Sequence, residues 1–312
     1  MSGKKMEEKI EVWIKKHQEM IGLENVEVID RKSGESNHNI ILEAESGKYV
    51  CRVSKNVSRR DRLENESRAL KILQKYSIGK VPRLEVFEKD TEVGSVLVEN
   101  FIEGEDIRFA RSLDKMQIRR LARTVAEIHS IPVKEVEKDG YEEFRDLREI
   151  YREEFDRWSE RPYRKYLGLV EEPDERIEKF YGKQKELIQK VPGLEVEQSF
   201  IHSDLGFNLL SNDGEVFILD WEYGTAGYPG HDIMILFEHG RLTDKQREIF
   251  LDSYTERRDL GEVFEKVREI HPKFLAFHDA VWAARRNEKG EDREKLLEEK
   301  IGKLEKLYSQ NG

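Results

Sequence analysis

Apolar positions recur at two spacings along this chain, and the change of spacing marks its organisation. From Met6 to Ile21, Ile10, Trp13, Ile14, His17 and Ile21 share one face at helical intervals, and Gly22 supplies a stop. Short β-type runs follow at Val26–Ile29, Asn39–Ala44 and Lys48–Val53, with Glu45-Ser46-Gly47-Lys48 as a hairpin turn between the last two. Arg59 to Lys75 returns to the helical period through Leu63, Leu70, Ile72 and Leu73. Two further strands, Arg83–Phe87 and Ser95–Glu99, run out near Phe101-Ile102-Glu103-Gly104. The first hundred residues therefore predict a small sheet carrying one internal helix.

The remainder is mainly helical. Asp114 to His129 places Met116, Ile118, Leu121, Val125 and Ile128 on a helical period, and Pro132 follows its end. Residues 141–190 read as charged helices interleaved with Tyr151, Phe155, Trp158, Tyr163, Tyr166 and Tyr181. The pattern then breaks. Ser199–His202 is a short apolar run, and Leu209–Leu210 and Val216–Leu219 flank Ser211-Asn212-Asp213-Gly214, a strong hairpin signal. Helices resume at Asp232, and Asn287 to Lys306 reads as a charged, solvated helix.

Composition narrows the class. The 312 residues carry 55 Lys and Arg against 65 Asp and Glu, a formal net charge of −10, which argues against general nucleic-acid or anionic-membrane binding. The single Cys51 excludes an internal disulfide and a cysteine zinc site. No apolar run approaches the roughly 18 residues needed to span a bilayer, and the first residues lack a signal-peptide core. A cytoplasmic protein with no membrane and no nucleic-acid partner is expected.

The richest chemistry lies in Phe200-Ile201-His202-Ser203-Asp204-Leu205-Gly206-Phe207-Asn208, followed by Ile218-Leu219-Asp220-Trp221-Glu222. A polar loop holds an Asp and an Asn, a hairpin folds back, and a second Asp ends the return strand. Asp204, Asn208 and Asp220 thus come to one end of the hairpin. Two carboxylates and an amide oxygen make a hard, oxygen-rich set suited to Mg²⁺ with phosphates, and one carboxylate can stay free to orient or deprotonate a hydroxyl.

These residues resemble the aminoglycoside phosphotransferase and choline kinase group, whose fold is protein-kinase-like. The resemblance runs from the first strands to Trp282 and is strongest between Ile201 and Phe237. It implies an α+β, bilobal fold, with a small β-rich lobe at 1–103 and a larger, mainly helical lobe at 104–312. By that resemblance Asp204 is the catalytic Asp, His202 braces its loop, Asp220 and Asn208 hold magnesium, and Asp232 is scaffold. The family spaces its Asp and Asn by four residues, whereas three separate Asp204 from Asn208. Tightening at Gly206 is the expected remedy.

The same resemblance assigns the nucleotide. Ser36 and Asn37 would cover the phosphates, and Arg52 in Tyr49-Val50-Cys51-Arg52-Val53 would grip them, steadied by Glu66. Backbone groups near Glu99 and Phe101 would bond the purine of ATP, with GTP as the alternative. The implied reaction is phosphoryl transfer to a hydroxyl of a small molecule, an amino alcohol such as choline or ethanolamine, or an aminoglycoside-like compound. The 151–181 aromatics could surround an ammonium group, although rings at helical spacing more commonly form core. A catalytically weak, pseudokinase-like nucleotide-binding regulator is the alternative that the short loop suggests. A protein kinase ranks last, because little chain separates Asp220 from the next helix.

Overall fold

The computed structural model describes residues 3–33, 37–55, 60–136, 142–286 and 291–309. Its first part is a helix packed on a five-stranded antiparallel sheet. Helix α1 (Gly3–Lys16) precedes β1 (Glu27–Ser33), β2 (Asn37–Ala44) and β3 (Gly47–Ser54). Helix α2 (Arg60–Lys75), β4 (Leu84–Thr91) and β5 (Gly94–Asn100) follow. The strand order is β1-β2-β3-β5-β4. Period-two alternation divides β3 between two surroundings. Tyr49, Cys51 and Val53 pack with Ile10, Trp13 and Ile14 of α1. Arg52 belongs to the opposite face, in register with Leu97, which packs with Leu63, Leu70 and Leu73 of α2. One polar residue in the alternation therefore puts a guanidinium under the sheet.

Helix α1 stops five residues short of the predicted Ile21. His17 stacks on Trp13 at 4.7 Å and its Nδ1 lies 2.8 Å from the Trp13 carbonyl, so the chain closes in turns that reach Gly22 at φ +69°. Ile21 and Leu23 still bury their side chains beside α1.

Beyond Asn100 come β6 (Glu105–Ile107), α3 (Lys115–His129), β7 (Phe144–Asp146) and α4 (Leu147–Phe155). A π-type turn over Asp156–Glu160 leads into α5 (Arg161–Leu167), then α6 (Glu175–Lys190), β8 (Glu195–Glu197) and β9 (Ser199–Ile201). The hairpin β10 (Leu209–Asn212) and β11 (Glu215–Ile218), β12 (Thr225–Gly227), and helices α7 (Pro229–His239), α8 (Asp244–Thr255), α9 (Val263–Arg286) and α10 (Glu291–Ser309) complete the chain. Asp114 caps α3 through a reciprocal box with Gln117. At the hairpin tip Asp213 and Gly214 both take positive φ, as a two-residue turn between twisted strands requires.

The core resolves the role of the 151–181 aromatics. Tyr151, Phe155, Tyr163 and Tyr166 are buried in the helical core, with Phe155 and Tyr163 against Phe277. Trp158 differs, because the π-type turn sets it against Tyr223, 5.1 Å away and nearly perpendicular. Among the described residues no helix is long and apolar enough to cross a membrane.

Candidate active site

Arg52 stands at the centre of a buried charge cluster. One guanidinium nitrogen meets Glu66 of α2 and the other meets Asp220 Oδ1 at 2.8 Å. Glu66 is fully buried and Glu99, diagonal to Arg52 on the sheet, nearly so. Burial pushes Glu66 well above the ordinary carboxylate range despite Arg52, with Glu99 and Asp220 adding to the rise. Burial likewise lifts Glu99 to about 7, partly offset by Arg52. Although desolvation opposes its charge, Arg52 is held protonated more firmly than usual by Glu66, Asp220 and Glu99.

A second network shapes the loop at Asp204. The buried Asp232, on the first turn of α7, accepts the backbone N–H of His202 at 2.6 Å and of Ser203 at 2.7 Å. His129 Nε2 meets the same carboxylate at 3.2 Å, and Tyr254 lies 2.9 Å from His129 Nδ1. Burial disfavours the charge on Asp232, but His129 and the backbone donors hold its pKa below the usual value. His202 Nδ1 accepts from the Asp204 N–H at 3.2 Å, so Nε2 carries the proton donated to the Leu219 carbonyl at 2.8 Å. One imidazole thereby ties the loop to the strand end that carries Asp220.

The chain turns at residues 205–207, with Gly206 at the centre as the spacing predicts, but the left-handed backbone angles fall elsewhere. Ser203 (φ +67°) and Asp220 (φ +62°) adopt the left-handed conformation, whereas Gly206 does not. Gly206 instead permits close approach: a Cβ there would overlap the Cβ of His239 and lie 3.1 Å from the Ile235 carbonyl. Asn208 still reaches Asp204, its amide nitrogen lying 3.1 Å from the Asp204 carbonyl and 3.4 Å from Oδ2. That orientation turns the Asn208 amide nitrogen, not its oxygen, toward Asp204. Asp204 is raised to about 6, first by burial and further by Asp220, against the opposing effects of His202 and His239.

The remaining expectations divide. Asn37 is buried at the start of β2, and Ser36 lies outside the described residues. The Phe101 N–H donates to the Lys48 carbonyl at 2.9 Å, which leaves the Phe101 carbonyl as its backbone group for a ligand. Glu99 contributes more than backbone, since its carboxylate joins the Arg52 cluster. Sequence reading missed Asn39, the cross-strand partner of Arg52, whose Oδ1 is buried without a hydrogen-bond partner. Its position in register with Arg52 was the signal available.

Glu222 was also missed as a site residue. It is buried, bonds Arg62 at 3.0 Å through Oε1, and has no hydrogen-bond partner at Oε2 among the described residues. Burial and the nearby Asp220 raise its pKa. Asn65 of α2 fastens the turn around it, donating to the Glu222 and Gly224 carbonyls at 3.0 Å each. Arg62 also lies over the Tyr223 ring at 5.0 Å, and Trp158 touches both Tyr223 and His278.

This donor set fits a magnesium ion shared with phosphates. Asp220, Asn208 and Glu222 offer hard oxygens, and the unpartnered buried oxygens of Glu66, Glu99 and Glu222 mark a site rich in acceptors. Among the described residues no three His, Cys, Asp or Glu side chains form a metal cage. Magnesium held by one or two carboxylates plus substrate phosphates needs none.

Comparison with known proteins identifies the family and the fold. A family model described as the phosphotransferase enzyme family matches residues 27–270. A LicA homolog of Metamycoplasma hominis is 28% identical over 117 residues, covering 37% of this chain and 41% of that relative. Choline kinase LicA from Streptococcus pneumoniae superposes with a TM-score of 0.65 at 19% identity, covering 96% of this chain and 99% of the other. The GDP and kanamycin complex of APH(2")-IIIa gives a TM-score of 0.68 at 18% identity, covering 97% and 99%. The bilobal, protein-kinase-like fold is therefore the fold of this chain.

Proposed function

Because the chain belongs to the phosphotransferase enzyme family, we propose that it moves the γ-phosphoryl group of ATP to a hydroxyl of a small cationic molecule. Residues 1–103 would form the nucleotide lobe and 104–312 the catalytic and acceptor lobe. The observation that carries this reading is that Asp220, held by Arg52 beside Glu66, is near enough to Asp204 to raise its pKa, while Asn208 contacts Asp204. GTP remains the alternative donor.

The residues suggest a division of labour. Arg52, steadied by Glu66, binds the α- and β-phosphates, and Asn37 with Ser36 would cover them. Backbone groups at Glu99 and Phe101 face the purine. Asp220 and Asn208, aided by Glu222, would hold Mg²⁺, which when bound neutralises phosphate charge. Asp204 orients the acceptor hydroxyl and takes its proton as the oxygen attacks the γ-phosphorus and the bond to ADP breaks. His202 and Asp232 keep that carboxylate in place. Catalysis rests on positioning and charge neutralisation.

The acceptor class follows from the aromatic corner. Tyr223 is near enough to Asp204 for that carboxylate to raise its phenol pKa, after the larger effects of burial, Glu222 and Arg62. With Trp158 at its edge, this corner sets aromatic rings beside the Glu222 and Asp204 carboxylates and already carries one cation, Arg62, over Tyr223, a setting an ammonium group would share. That favours an amino alcohol such as choline or ethanolamine over a neutral sugar, with aminoglycosides in the same charge class. A requirement for ATP suits the cytoplasm. The short loop, the one feature that suggested a regulator without catalysis, does not part Asn208 from Asp204.

A panel of amino alcohols, aminoglycosides, sugars and nucleosides with labelled ATP tests the reading. Transfer to an ammonium-bearing alcohol, lost in Asp204→Ala, is the expected result. Transfer to neutral sugars alone would refute the acceptor class, and full activity of Asp204→Ala would refute the base.

A further inference from the structure

The segment from Asp204 to Asn208 rests on the end of α7. Phe207 stacks on His239 at 4.8 Å and 25°, and Gly206 passes so close to the His239 Cβ that no larger residue fits without displacement. His239 is the last residue of α7 and nearly buried. Its Nε2 lies 3.2 Å from Asp279 Oδ1 on α9. A carboxylate at that distance accepts, so Nε2 carries the proton, and the buried Nδ1 has no hydrogen-bond partner among the described residues. Asp279 in turn receives Lys300 of α10 at 3.1 Å on its other oxygen.

Helix α10 grips the same corner twice more. Lys303 pairs with Glu238 at 3.1 Å, and Glu299 lies 3.9 Å from Arg241. His239 is thus flanked on both sides by residues that α10 holds. The family match ends at residue 270, so Asp279, Lys300 and Lys303 lie in a part of the chain it does not reach.

We propose that His239 is a positioning residue for Asp204, and that α10 sets its orientation through Lys300 and Asp279. The chain Lys300–Asp279–His239–Phe207 carries the placement of the last helix into the catalytic loop. It also accounts for how a loop one residue short keeps its shape. The turn over 205–207 passes against the His239 Cβ, and the His239 ring supports Phe207 at its end. This inference rests on the reading of Asp204 as the base and extends it to residues outside the cleft.

The test uses the full chain with Asp279→Asn, Lys300→Met and Lys300→Arg, with His239→Ala as a fourth variant if it folds. Two readouts are needed: steady-state kinetics, and amide exchange of the peptide spanning 203–208. Asp279→Asn and Lys300→Met should lower kcat about ten-fold with the KM for ATP within about two-fold, the pattern of a transition-state effect. Exchange in 203–208 should rise about ten-fold while nucleotide binding persists, and Lys300→Arg should restore both. Unchanged loop exchange and kcat in folded variants would overturn the proposal. So would an equal rise of exchange throughout the protein, the mark of a merely structural role. If the wild-type chain phosphorylates no acceptor, the functional reading fails, and loop exchange still decides this proposal.

Discussion

Arg52 and Asp220 stand 168 positions apart in the chain and meet at 2.8 Å, with Glu66 on the other side of the same guanidinium. The pair links the sheet to the strand end beneath it. Arg52 therefore bridges Glu66 and Asp220. Under the proposed function, MgATP would exchange these partners, with phosphate oxygens taking the place of Asp220 at Arg52.

Arg52→Met should be costly for stability. It strips the buried Glu66 and Glu99 carboxyls of the cation that offsets their desolvation, so both hold their protons to higher pH, and the lost hydrogen bonds should cost about 1–3 kcal/mol. Chemical denaturation measures this directly. Arg52→Lys keeps a charge but loses the two-pronged grip, so ATP affinity should fall with a smaller loss of stability. Equal ATP affinity in the lysine variant would show that Arg52 does not hold phosphate.

Activity should follow the ionisation of Asp204. Burial raises it to about 6, and the base must be deprotonated to accept a proton, so kcat/KM should climb as pH rises through about 6 and level above it. Asp204→Asn should remove that limb and cost about 10²- to 10⁴-fold in kcat. The stability effect has the opposite sign. Asp204 and Glu99, raised to about 6 and 7, contribute stability that is full in acid below the unfolded carboxylate pKa and is lost as pH rises through those values. Denaturation of Asp204→Asn at pH 5 and pH 8 against the wild type checks this.

Asp232→Ala should destabilise the loop and the fold together. It strands the His202 and Ser203 N–H groups and unpairs His129, so a loss of about 3 kcal/mol or more is expected. Because its pKa is lowered, Asp232 stabilises the protein above the unfolded carboxylate pKa, and that support fades as pH falls through the folded value. Denaturation midpoints of the variant and wild type should converge at strongly acid pH.

Trp158→Ala should separate acceptor from nucleotide. Loss of a partly desolvated cation–π contact raises the acceptor KM about 3- to 30-fold and leaves the ATP dissociation constant unchanged. Calorimetry with ATP and kinetics with the acceptor distinguish the two. A matching fall in ATP affinity would move Trp158 out of the acceptor pocket.

Gly206→Ala probes the close approach to α7. Its Cβ would meet the His239 Cβ, so the loop must move by several tenths of an ångström, and kcat should drop with little change in ATP affinity. Steady-state kinetics decides it.

Much of this protein was determined by short-range pattern. The β3 alternation that sets Arg52 opposite the α1-facing residues, the Asp213-Gly214 turn, and the Asp-to-Asn loop before a hairpin are local consequences of side-chain size, backbone freedom and period. They were legible because each depends on neighbours in sequence. Tertiary structure alone decided the rest. Whether Trp158 joined the core or packed against Tyr223 turned on one π-type turn, and the close approach that Gly206 permits turned on the helix behind the loop. Asn39, Glu222 and His239 gained roles from partners far off in sequence, because burial and electrostatics depend on distance in space, which spacing along the chain does not encode.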